Sequence, residues 1–230
     1  MANLENAEAL TGGAAAAIQK SRGLKTRPRL WITEMGWPSN QTGLRGQAQA
    51  ISRVYLMTAA LPSLFERAFI YDFLCDGVKP DSIEDSFGMI DADYSVRPSY
   101  VACATTARAL AGRALIRRLP HPDPTVRLYL FGPESAPMLA GWCTEVSPAE
   151  AIAGKTADGR NAAELNRVGA SPGRSLVVFL GVGGTTASLR DWQDRSSALA
   201  APDGKLSLRL TGWPVFLHLR GPARDVRVLP

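Results

Sequence analysis

The sequence predicts an α/β half, about residues 1–112, followed by an all-β half, about residues 113–230. Three observations carry this. In the first half two short apolar runs alternate with segments of helical periodicity, the signature of βα units in a parallel sheet. In the second half six short apolar or alternating runs are separated by Gly, Pro, Asp and Asn clusters, a pattern that buries its inner residues by packing two sheets as a β-sandwich. The pattern changes near Gly112, and 230 residues with 46% hydrophobic content are enough for two domains.

From Asn3 to Arg22 the chain is rich in Ala, Leu, Glu and Lys, which lose little side-chain entropy in a helix, and Gly23 offers a stop. Leu30 to Thr33 reads as a buried parallel strand, broken by Gly36 and Pro38, with Glu34 at its C-terminal end. A second helix is expected from Arg45 to Leu61, where Ala48, Ile51, Val54, Tyr55 and Met57 approximate a 3.6-residue repeat and Pro62 terminates it. Residues 67–74, RAFIYDFL, read as another buried strand; an irregular loop covers 75–96, and a third helix opens near Pro98.

Beyond Gly112 the expected strands are IRRL (116–119), VRLYLF (126–131), MLAGWC (138–143), LVVFLGV (176–182), LSLRL (206–210) and PVFLHL (214–219). Residues 149–173 form a long polar connection. The Gly183-Gly184 pair completes no phosphate-binding pattern and is read as a hairpin turn.

The formal charge is +5 and the pI about 9.4, but the basic residues are scattered among acids, so no nucleic-acid partner is expected. Cys75, Cys103 and Cys143 lie far apart, without zinc-site spacing or the even count of a disulfide framework, and are read as inert buried thiols. His121 and His218, the only histidines, are read as structural. No metal or cofactor is expected, and no run of about 18 apolar residues is present for a membrane span. The N-terminus lacks a signal-peptide pattern, which for an internal piece of a longer protein says nothing about export.

A carboxylate at the C-terminal end of a buried parallel strand stands where barrel enzymes place reacting groups, because the strand ends converge on one open face. The alternative for Glu34 is an ordinary salt bridge to Arg29 or Arg45, and position alone does not separate the two. The whole segment Trp31-Ile32-Thr33-Glu34-Met35-Gly36-Trp37-Pro38-Ser39 resembles the seventh-strand motif of the clan A retaining glycoside hydrolases, in which Thr-Glu-x-Gly-Trp holds the nucleophile. The likeness continues in order. Residues 69–73 resemble the eighth strand, Asp76-Gly77 and Phe87 to Asp91 the loop after it, and Arg97-Pro98-Ser99-Tyr100 the start of the final helix. Leu206 to Gly221 is similar to the closing strands of the β-sandwich that follows the barrel in several of these enzymes, most nearly the families around the β-xylosidases and bacterial exopolysaccharide endoglycosidases.

The resemblance implies the last two βα units of a (β/α)8 TIM barrel followed by an accessory β-sandwich, with Glu34 as catalytic nucleophile on a carbohydrate substrate. A retaining glycosidase needs a second carboxyl group about 5–5.5 Å from the first to protonate the leaving oxygen. In this clan it belongs to an Asn-Glu pair after the fourth strand, which this chain lacks, so the missing N-terminal part of the barrel is an expected partner. Around Glu34, Trp37 and Tyr71 are candidates to stack on a sugar, and Asp72 or Asp76 to accept hydroxyl hydrogen bonds. Strand alternation pairs Tyr71 with Phe73 and Ile70 with Asp72 but does not say which pair faces the barrel. Trp31 is assigned to the core, as are Trp142, Trp192 and Trp213 of the β-half. The rival reading is a non-catalytic carbohydrate-binding or scaffold protein; localisation stays open, with a secreted or periplasmic parent compatible.

Overall fold

The computed structural model describes residues 7–145, 173–181 and 185–229. Over these the chain is mixed α/β, with three α-helices, a two-stranded parallel sheet, and antiparallel sheets of six and three strands. Helix α1 (Ala7–Ser21) precedes β1 (Leu30–Met35), then come α2 (Ser39–Ala60), β2 (Phe65–Ile70) and α3 (Pro98–Leu110). Pro98 stands in the first turn of α3, where its missing N–H is no loss. Helix α2 begins six residues before the periodicity suggests, because Ser39 starts a first turn that bends at Gly43, held at φ +69°. Strand β2 stops at Ile70, short of the expected Leu74. Tyr71 still donates its N–H to Met35 O at 2.9 Å, after which the chain leaves the ladder.

Strands β1 and β2 pair in parallel, Ile32 opposite Ala68 and Met35 opposite Ile70. One extra residue on β1 makes a bulge that leaves Thr33 and Glu34 both exposed. Leu30 and Ile32 pack on the cluster of Ala15, Leu64 and Phe65, so this face of the strand pair is covered. The opposite face is open: Trp31 is 54% exposed and Phe69 46%, with the Arg67 guanidinium 5.3 Å from the Trp31 ring centre. The assignment of Trp31 to the core is thereby corrected; its face of the sheet has no covering layer among the described residues.

The remaining strands are β3 (Leu115–Arg118), β4 (Val126–Phe131), β5 (Met138–Cys143), β6 (Arg174–Phe179), β7 (Thr185–Arg190), β8 (Ser196–Ala201), β9 (Lys205–Leu210), β10 (Val215–His218) and β11 (Arg227–Leu229). They form a six-stranded sheet in the order β3-β4-β5-β10-β7-β8 and a three-stranded sheet in the order β11-β6-β9. Alternation is cleanest in β9, where Leu206, Leu208 and Leu210 are buried and Lys205, Ser207 and Arg209 exposed. The inner residues of both sheets share one core, with Leu128, Leu130, Leu139 and Leu217 from the larger and Leu176, Val178 and the β9 leucines from the smaller. Strands β4 and β5 are buried on both faces, and their other residues join Phe216 in a second core against α2 and α3: Tyr129, Phe131, Met138 and Trp142 meet Trp37, Ile51, Leu56 and Ala109.

Strands β7, β8 and β11 were not expected, the first two from their polar or small residues and β11, RVL, from its three-residue length. Gly183 and Gly184 lie outside the described residues, as does the connection 149–172, but β6 and β7 on either side of the pair belong to different sheets and do not form a hairpin. Trp142 is fully buried as expected, whereas Trp192 and Trp213 lie in neither core and stack on each other. Cys75 and Cys143 are buried and Cys103 half-buried, with no disulfide among them. No helix among the described residues is long and apolar enough to cross a membrane.

Candidate active site

The exposed end of β1 is held in place by a glycine and a glutamine. A Cβ on Gly36 would stand 2.0 Å from the Tyr71 carbonyl oxygen and 2.7 Å from the Phe87 ring, so only glycine lets the chain after β2 cross so close to the chain after β1. Gly88 is constrained in the same way, by the Cys75 backbone nitrogen at 2.2 Å. The loop 75–96 is pinned from below by Gln47 of α2, fully buried, whose side-chain amide donates to the carbonyls of Ser86, Phe87 and Gly88 at 3.2, 2.8 and 3.2 Å. Its own oxygen accepts from Ser99 Oγ at 2.8 Å. Arg97 fastens the other end, donating to Asp91, to Ser39 Oγ and to the carbonyls of Ser86 and Gly88. Gly36, Ser39, Gly88, Asp91, Arg97 and Ser99 fall within the strings that carry the resemblance, though without these roles; Gln47 carried no signal.

On this frame Glu34 presents an exposed carboxylate that makes no hydrogen bond or ion pair among the described residues. Arg29, one of the cations that could have neutralised it, faces Glu66 instead at 3.6 Å. One residue beyond Glu34, Met35 is bonded to Tyr71, so the two chains meet at the strand end. The Tyr71 hydroxyl donates to Asp76 Oδ2 at 3.0 Å and lies 3.3 Å from Glu84 Oε2, while its ring meets Phe87 edge-on at 5.3 Å. The hydrogen bond to Asp76, with the neighbouring carboxylate charges, pushes the phenol up to about 12. Glu84 was not anticipated, because only the return of the loop brings it to Tyr71. Asp72 turns its carboxylate inward on its own chain, accepting the Leu74 N–H at 2.9 Å. Trp37 is only 5% exposed and packs in the core with Trp142 and Phe216, leaving its ring little surface for a sugar.

A cavity of about 500 Å³ opens between the start of α2 and the loop, lined by Ser39, Asn40, Lys79, Asp85, Asp91 and Arg97 among others; Glu34 is not part of its wall. The Lys79 backbone N–H and the Ser82 hydroxyl hold Asp85 below the usual carboxylate range, and Ser95 does the same for Asp93.

No family model and no curated protein matches this chain. Among solved structures it is similar to a family 39 glycoside hydrolase from Bacteroides cellulosilyticus WH2, with 25% identity and a TM-score of 0.68 over 92% of this chain and 37% of that one. A glucosidase from Croceicoccus marinus gives 9% identity and a TM-score of 0.60 over 95% of this chain and 51% of that one. A family 30 endoxylanase from Clostridium papyrosolvens C71 gives 9% and 0.51 over 90% and 45%. The chain thus has a glycosidase-like fold and spans between about a third and a half of the length of these structures.

Proposed function

We propose that this chain is the nucleophile-bearing part of a retaining glycoside hydrolase that acts on O-glycosidic bonds of oligo- or polysaccharides. In this reading β1-α2 and β2-α3 are the last two βα units of a (β/α)8 barrel, and residues 113–230 are its accessory β-sandwich. The observation that carries it is the Glu34 carboxylate, solvent-exposed and without a partner among the described residues, at the C-terminal end of a parallel strand. Open to solvent, such a group can be reached by an anomeric carbon. Tyr71, Asp76 and Glu84 form the adjoining rim, where the two carboxylates can accept hydrogen bonds from sugar hydroxyls. Asp72 and Trp37, turned to local and core contacts, shape the rim from behind. The proton for the leaving oxygen comes from a carboxyl group outside this chain. The open face bearing Trp31 and Phe69 is the side on which the remaining strands would close, in keeping with the matched structures being two to three times as long.

In the complete parent enzyme, Glu34→Gln is expected to lower kcat by several orders of magnitude, and a mechanism-based fluorosugar should label Glu34. Turnover within a few-fold of wild type, or a label on another residue, overturns the assignment. The 230-residue chain alone should hydrolyse no alkyl glycoside, since positioned acid catalysis supplies about 10²–10⁴-fold and is missing here.

A further inference from the structure

Trp192, in the turn between β7 and β8, and Trp213, in the turn between β9 and β10, stack with ring centroids 4.2 Å apart and planes 17° from parallel. Both are half-buried, and neither indole N–H has a protein partner among the described residues. The two turns are unusually well fixed. Asp191 accepts the N–H groups of Gln193 and Arg195 at 2.9 and 3.0 Å and the Arg195 side chain at 2.7 Å. Asp194 ties the same turn to Arg190 at 2.7 Å and to Arg108 of α3 at 2.8 Å. On the other side Arg53 of α2 donates twice to Gly212 O, at 2.9 and 2.7 Å, and the Trp213 N–H is held by Thr211 Oγ at 3.2 Å.

An aromatic pair in two anchored turns, contributing to neither core, is already organised for binding, so little ordering cost remains when a ligand arrives. Its surroundings select the ligand. The faces that the two indoles turn toward each other are used by the stack, while an outer indole face attracts the C–H face of a flat apolar ring and the free N–H groups donate at the edge. The residues beside the pair in its two turns include the polar Asp191, Gln193, Asp194, Arg195 and Thr211, whereas the core of a protein interface is depleted of charged residues. A pyranose chain has this combination of an apolar C–H face and a hydroxylated edge. We propose that Trp192 and Trp213 form an aromatic platform that binds a polysaccharide chain away from the Glu34 strand end. Helix α2 starts beside that strand end, and beyond its bend at Gly43 it runs roughly 14 Å at the usual helical rise to the Arg53 anchor, which separates the two places. The choice of a sugar rests on the glycosidase-like fold; the binding does not require Glu34 to be catalytic.

The probes are soluble xylan and mixed-linkage β-glucan cast into native gels, with the 230-residue chain run through each. At least one of the two should retard the wild-type chain. Trp192→Ala or Trp213→Ala should need roughly tenfold more polysaccharide for the same retardation, the loss expected of an aromatic anchor. Trp31→Ala should migrate as wild type. Because a Trp192 variant could fail to fold, the unmodified chain gives an independent reading. Of its five indole N–H signals in a nitrogen-15 correlation spectrum, those of Trp192 and Trp213 should shift with xylohexaose or a mixed-linkage glucan oligosaccharide, and that of buried Trp142 should not. Absence of retardation and shifts with both probes overturns the platform. So does a loss of binding confined to Trp31→Ala. The nucleophile reading fails only by turnover in the parent, so the two can fall separately.

Discussion

Replacing Gly36 with alanine tests the frame around the strand end more directly than any change to the carboxylate itself. The conflict is spatial, since the added Cβ would lie 2.0 Å from the Tyr71 carbonyl oxygen, whereas real Cβ contacts essentially never fall under 3.0 Å. That oxygen must therefore retreat by at least about 1 Å, and because it is backbone it cannot simply adopt another rotamer. The segment is tied on both sides, by Tyr71 N to Met35 O at 2.9 Å and by Met89 N to Asp72 O at 3.1 Å. Overpacking of this kind costs about 1–3 kcal/mol, occasionally more, and the rigid target puts Gly36→Ala at the upper end. With a urea slope of about 1–3 kcal/mol per molar, the unfolding midpoint should fall by roughly 1 M. In the parent enzyme a displacement of this size beside the reacting group should also reduce turnover by about a hundredfold. Gly13→Ala is the control: its Cβ meets nothing within 4 Å, and in helix α1 it should stabilise the chain by about 0.5–1 kcal/mol. If Gly36→Ala leaves the midpoint where it was, the close crossing of the two chains is wrong.

Gln47→Ala removes the donor shared by three carbonyls and the acceptor for Ser99, and should cost about 1–3 kcal/mol by urea unfolding while making the 75–96 loop a site of early proteolysis; an unchanged midpoint and cleavage pattern would refute its pinning role. His218 is held below its ordinary 6.5, first by burial and then by the Arg113 and Arg190 charges. Below pH 6.5 the unfolded chain therefore takes up a proton that the folded chain resists, so the stability present above 6.5 is lost as pH falls toward the folded value. His218→Gln should flatten that part of the stability–pH curve relative to wild type, and identical curves would show that this imidazole is not the group responsible.

Periodicity was legible wherever one face of an element is buried and the other is wet. The β9 leucines show it plainly; α2, buried all round from Gly46 to Val54, and β4, buried on both faces, were legible instead from their apolar content. Strands β7 and β8 were not legible because Thr185–Arg190 and Ser196–Ala201 carry few large apolar residues; β8 is an edge strand, mostly exposed, and needs little core. Trp31 was misread because a short apolar run implies a strand covered on both faces, and local sequence holds no record of whether the second cover is present. Trp192 and Trp213 were misread for a related reason: an adjacent strand is a poor guide at a turn, where the next residues leave the sheet. Glu34 and Tyr71 could be singled out from a motif, but Gln47, Glu84 and Ser99 act through contacts between segments far apart in the chain.

The six-stranded sheet is assembled from the outside in. Strand β10 lies between β5 and β7, yet every strand of that sheet precedes it in the chain. About 70 residues separate Cys143 from Val215, so at the usual 5–20 residues per second a ribosome takes roughly 4–14 s between releasing β5 and releasing its neighbour. By the end of that interval the growing chain holds two part-sheets, β3-β4-β5 and β7-β8, with an unsatisfied backbone ladder facing the gap. A stop codon before Val215 would make this interval permanent, removing a four-residue keystone and leaving Leu139 and Leu189 without the Leu217 that joins them. The nascent protein is thus most exposed to mispairing late in its synthesis, when most of its apolar surface already exists and the strand that closes it does not.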